Sequence, residues 1–150
     1  MDVIRRTVGR YVFERQGAAK TATQLTDMLE RSGRELTMRF QHAPQTEQNH
    51  RVVTHIIGIE KWSQMRIQVV QGAPFRDDEY DLYRPPRNTS WDDLKSIFEQ
   101  TRRETVALTQ GLSAAQLAQR VRHNSYGEMT AAAWLLYINL HSNLESWRIR

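Results

Sequence analysis

The sequence contains no cysteine. Disulfides, thiolate zinc sites and cysteine nucleophiles are therefore excluded, and the fold must rest on packing and hydrogen bonding. Long hydrophobic runs are missing too. The longest, AAAWLLYI, falls far short of the roughly 20 residues that span a bilayer. The amino-terminal stretch MDVIRRTVGRYVFERQ carries charges through its middle and no apolar signal segment, so the expectation is a soluble cytoplasmic protein with no membrane partner. The formal net charge of +4 is spread over scattered pairs rather than a basic stripe, and no base-stacking aromatic motif accompanies it. Nucleic acid is a disfavoured partner. No internal repeat, low-complexity tract or convincing strand alternation is visible.

What is present is helical periodicity. The 150 residues suit one domain, taken as 1–150 with residues 1–18 as a possible N-terminal extension. In that extension Val3, Ile4, Val8, Tyr11 and Val12 could mark one helical face, but Gly9 and Gly17 interrupt it. From about Thr21 to Gln41, Leu25, Met28, Leu29, Leu36 and Phe40 fall on one side of an amphipathic helix that His42-Ala43-Pro44 ends. A second helix is expected from about Asn49, read as its N-cap, to Val70. Three of the four prolines then fall in QGAPFRDDEYDLYRPPRNTS, which breaks all periodicity. Ser90-Trp91-Asp92-Asp93 reads as a capping box opening a third helix, which Gly111 stops. Ser113 caps a short piece, and SYGEMT turns into a last helix from about Thr130 to Trp147. Short links flank a long connection between the second and third helices. These lengths predict an all-α, four-helix bundle running up-down-down-up.

On a wheel of roughly 100° per residue, His141 and Glu145 of the last helix fall among apolar residues, with Arg148 beside them. The apolar arc holds Trp134, Tyr137, Ile138, Leu140, Leu144 and Trp147, and the wet face Asn139, Ser142, Asn143, Ser146 and Arg150. The second helix repeats the anomaly. His55 and Arg66 interrupt the stripe of Val52, Ile56, Ile59, Trp62 and Val70, opposite His50, Thr54, Lys61, Gln64 and Gln68. Burying polar groups costs free energy unless each finds a partner, which argues for a site. Two imidazoles and a carboxylate, His55, His141 and Glu145, make a donor set that suits Zn, Ni or Fe(II) and leaves coordination positions open. Arg66 and Arg148 are candidates for binding an anionic small-molecule substrate. His42, His50 and His123 read as solvated surface residues, and Glu60 as a structural ion-pair partner.

Two stretches, HIIGIEKWSQMRI and TRRETVALTQGLSAAQLAQ followed by GEMTAAAWLLYINLHSNLESWRI, resemble the DinB-like family in order and spacing, from about residue 20 to the end. The resemblance implies a four-helix bundle, often a homodimer, with a divalent metal held by three histidines. By that resemblance His55 is the second-helix ligand and His141 the first of a His-x-x-x-His pair. Glu145 occupies the second position, and Arg148-Ile149 replaces a common Gln-Ile. Relatives in the family include transferases that add low-molecular-weight thiols, such as bacillithiol or mycothiol, to electrophiles. The implied function is a metal-dependent thiol transferase or a hydrolase of small molecules. The alternative is a non-catalytic binding or dimerisation module that has lost the metal, with Glu145 paired to Arg148 or Arg66.

Overall fold

The computed structural model describes residues 2–150, apart from the side chains of Asp2 and Arg5; Met1 of the expected extension lies outside them. Six α-helices follow in the order α1 (Asp2–Ala18), α2 (Ala22–His42), α3 (Glu47–Gln68), α4 (Trp91–Gln110), α5 (Ala114–Ala118) and α6 (Ala131–Ser146). Each start from α2 onward is fixed by a hydroxyl. Thr21, Thr46, Ser90, Ser113 and Thr130 each accept a backbone N–H from the residue three positions on, satisfying a donor that the first turn leaves free. Thr46, not Asn49, caps α3. Asn49 sits one turn inside, fully buried, donating to Pro44 O at 2.9 Å and Arg150 O at 2.8 Å, and so ties down the chain's end.

The chain is mostly helical, as expected, with one departure. Residues Arg120–His123 (β1) and Gly127–Thr130 (β2) pair antiparallel as a hairpin between α5 and α6, where the sequence gives only a turn. Its burial alternates along β1, with Val121 and His123 facing inward. Four residues per strand are too few for alternation to be legible in the sequence alone. Among the described residues no helix is long and apolar enough to cross a membrane.

Helices α2, α3, α4 and α6 pack around the core, each touching two or more of the others. The expected stripes of α2 and α3 are inside: Leu25, Leu29, Leu36 and Phe40 from the first, Val52, Ile56, Ile59 and Trp62 from the second. Helix α1 forms despite its glycines and lies along α6, with Phe13 edge-on to Tyr137 and the Glu14 carboxylate accepting from Thr130 N at 2.8 Å. The apolar residues Val3, Ile4, Val8 and Tyr11 do share a face, but that face points outward.

The polar residues of the core are where a helical wheel fails. Ser142 and Ser146, assigned to the wet face of α6, are each only 2% exposed, while Leu140, Leu144 and Trp147 of the assigned apolar arc are exposed. Thr54 and Gln64 of α3 are likewise buried rather than wet. For Ser142 and Gln64 the reason is a network around one buried guanidinium. Arg102 of α4 donates to both Glu60 oxygens (2.7 and 2.9 Å), to Leu29 O (3.1 Å), to Ser32 (2.7 Å) and to Ser142 (3.1 Å). These five bonds use every N–H of the guanidinium and join α2, α3, α4 and α6 at one point. Thr105 adds a hydroxyl donor to Glu60 at 2.7 Å, and Gln64 in turn donates to Thr105 at 2.9 Å. Gly33 makes room for the arrangement: a Cβ there would lie 2.7 Å from Arg102 Cγ. The expected structural ion pair of Glu60 is therefore present, and its cation draws Ser142 inward, while Ser146 accepts from Arg39 Nη1 of α2 at 3.0 Å.

Candidate metal centre

Helices α3 and α6 bring His55 and His141 together, their rings tilted by 60°. Their ring centroids are 5.0 Å apart. Glu145, one turn beyond His141, completes the group: one ligand atom from each of the three side chains lies within 4.8 Å of the others. Among the described residues these three alone form such a cluster. That separation is the span across which one ion can bridge donors after small rotamer adjustments. All three are partly buried.

The rings are held by aromatic neighbours rather than by hydrogen bonds. Tyr80, from the crossover between α3 and α4, stands edge-on to His55 with centroids 5.0 Å apart, and Tyr137 lies beside His141 at 5.5 Å. Burial pushes the His55 imidazole below its ordinary pKa, and it pushes His141 down to about 4, with the neighbouring His55 as a second cause. Both rings are thus neutral at physiological pH, the form that binds a metal. His141 Nδ1 is buried and has no hydrogen-bond partner among the described residues. An unpartnered ring nitrogen in that position is expensive unless something fills it, so the donor set fits a divalent ion.

Glu145 also accepts from Arg148 at 2.7 Å, an i, i+3 pair whose guanidinium side is largely in water. Arg148 lines a cavity of about 410 Å³ together with Gln48, Arg51, Val52, His55 and Arg84. The crossover contributes Arg84, whose Nη2 donates to Thr54 Oγ1 at 3.0 Å. It can run this close because residue 58 is glycine: a Cβ would sit 2.5 Å from Arg84 Cγ.

Arg66 is placed elsewhere. It lies three turns along α3 from His55, about 16 Å of rise. There its Nη2 donates to Asp78 O at 2.9 Å and Asn124 Oδ1 at 3.2 Å, and its guanidinium stacks on Trp62 and Phe75. It anchors the crossover, with Asp78 O also accepting from Trp62 Nε1 and Asn124 Nδ2.

His123, read from the sequence as a solvated loop residue, is only 4% exposed. It sits on β1 among Trp62, Tyr126, Trp134 and Tyr137. Its Nδ1 accepts the backbone N–H groups of Ser125 (3.0 Å) and Tyr126 (3.3 Å), which occupies that nitrogen and keeps it from a metal. The remaining histidines have backbone partners: His42 Nδ1 lies 2.8 Å from Met38 O, and His50 Nε2 lies 2.9 Å from Thr89 O at the end of the crossover. His42 is exposed as expected, whereas His50 is half-buried.

A family model described as the DinB superfamily matches residues 20–144. That span begins just before α2 and ends one residue before Glu145, leaving α1 outside it. No curated protein and no solved structure matches the chain.

Proposed function

We propose that this chain, which belongs to the DinB superfamily, holds a divalent metal on His55, His141 and Glu145 and uses it to act on a small molecule, by thiol transfer or by hydrolysis. The observation that carries this reading is the convergence of three metal-competent atoms from two helices within 4.8 Å. Zn or Ni suits two imidazoles and one carboxylate best, and Fe(II) is the third choice. When bound, such an ion supplies a Lewis acid with open positions, able to lower the pKa of water or a thiol.

The residues do the rest. His55 and His141 present unprotonated nitrogens, so no proton must be displaced before an ion is held. Tyr80 and Tyr137 pack against the two rings and fix their planes. The cavity beside His55 gives a small substrate its place. In thiol transfer a sulfur–carbon bond forms at the electrophile while the bond to its leaving group breaks, and the thiol proton passes to solvent. On the same reading the four long helices run up-down-down-up, as the long α3–α4 crossover allows, and the protein works as a homodimer in the cytoplasm.

The second reading is a non-catalytic module in which Glu145 serves Arg148 alone, favoured by the 2.7 Å contact between them. One assay separates the two. Zinc- or nickel-loaded protein is offered a thiol with an electrophilic chloronitroarene, and separately a panel of activated esters and amides. Turnover that vanishes with chelator and in His55→Ala supports the enzyme. Protein that takes up no zinc or nickel and turns over none of them, in which Arg148→Ala and Glu145→Ala change stability equally, supports the module that has lost the metal.

A further inference from the structure

We infer that the cavity beside the His55–His141–Glu145 cluster binds an oxyanion of its ligand, a carboxylate or a phosphate, through Arg51, Arg84 and Arg148. The inference deepens the function proposed above and rests on it only for what happens next to the anion.

Among the described residues three guanidiniums and one neutral imidazole line this cavity, and no carboxylate does. Each arginine has an acidic partner, but those partners sit outside the lining. Arg51 meets Glu47, whose side chain is 84% exposed, and Arg84 meets Asp81, 66% exposed, at a long 3.5 Å. Ion pairs so open to solvent hold little and yield readily to a competing anion. A volume of about 410 Å³ lies in the range of small-molecule sites.

The guanidiniums are also positioned in advance. Arg84 is tethered to α3 by its Nη2 bonds to Thr54 Oγ1 and to Arg51 O, the latter at 3.3 Å, which holds the guanidinium at the cavity wall. Arg148 is fixed through Glu145, and the following backbone is pinned where Gln48 Nε2 donates to Arg148 O at 2.9 Å. Arginine's planar fork matches the two oxygens of a carboxylate or phosphate. With His55 in the same wall, an anion held there would place the adjoining atoms of its molecule beside the cluster.

The test uses the full chain, once stripped with chelator and once loaded with zinc. Inorganic phosphate, succinate and the uncharged succinamide are titrated calorimetrically into each. Phosphate and succinate should bind the stripped protein saturably and succinamide should not. Arg51→Gln and Arg84→Gln should each weaken anion binding about tenfold, while Arg103→Gln, on an exposed face of α4, should bind as the parent does. Arg51 is largely in solvent, so its variant keeps the fold even where Arg84→Gln does not. Anion binding no better than that of succinamide, or equal in all variants, would overturn the inference. Zinc counted on the same samples separates the two claims. Stoichiometric zinc without anion binding sinks the anion site and leaves the cluster standing; anion binding without zinc does the reverse.

Discussion

Two polar clusters share helices α3 and α6, and they differ in completeness. Around Arg102 and Glu60 every guanidinium N–H has an acceptor, and both carboxylate oxygens have donors. Around His55 and His141 no such closure exists: His141 Nδ1 is buried without a partner and the two rings lean on aromatics. A saturated network is a part of the architecture, since it has no valence left to offer. An unsaturated one retains donors for something that is not the protein.

The largest effect should break the saturated cluster. Arg102→Ala leaves the Glu60 carboxylate buried without its cation and should cost about 3–5 kcal/mol in urea unfolding. Replacing both partners by apolar residues, Glu60→Leu with Arg102→Met, should recover much of that loss, because the penalty belongs to the orphaned charge and not to the missing pair. Recovery absent, the cluster would have to hold the helices in register by more than electrostatics.

The unsaturated cluster should respond oppositely. In metal-free protein His141→Ala should cost no more than about 1–2 kcal/mol, since no hydrogen bond is lost at Nδ1. Zinc at a hundred times its dissociation constant should then stabilise the parent by about 2.7 kcal/mol and the variant not at all. Chelator should remove the gain, read as the shift in melting temperature.

A smaller effect distinguishes His123 from both clusters. Burial, with Arg66 as a second cause, pushes its pKa from an ordinary 6.5 to about 3. Its folded pKa lies below the unfolded one, so between those values the unfolded chain takes up a proton that the folded chain refuses. The stability that the neutral ring secures is therefore whole above pH 6.5 and is lost as pH falls toward 3. Within that window His123→Asn, which keeps an acceptor for the two backbone amides, should reduce the slope of stability against pH by up to about 1.4 kcal/mol per unit. Equal slopes in urea titrations of parent and variant would show that His123 is not the group being protected.

Much of this was legible in the sequence, for identifiable reasons. The stripes of α2 and α3 are regular enough to place Leu25, Leu36, Ile56 and Trp62 inside, and an imidazole within such a stripe stands out, as His55 and His141 do. Glu60 could be read as an ion-pair partner, but its cation could not, because Arg102 looks like any surface arginine of an amphipathic helix. Ser142 and Ser146 were misplaced for the same reason. A small hydroxyl has no preference strong enough to reveal that a guanidinium on another helix needs it. Leu144 and Trp147 fail in the other direction, large apolar residues left facing outward. His123 was hidden because its burial depends on a hairpin of four-residue strands, and its one signal, the following Asn124-Ser125-Tyr126-Gly127, reads only as a turn. Arg66 shares the inner stripe with His55, but a stripe fixes direction and not height along the axis.

The central claim is that His55, His141 and Glu145 hold one ion between them, and counting that ion tests it most directly. Protein purified without chelator and dialysed against zinc should carry about one ion per chain by elemental analysis, with His55→Ala and His141→Ala each carrying almost none while remaining folded by circular dichroism. An ion retained at full stoichiometry in both variants, or a parent that takes up none, would contradict the account.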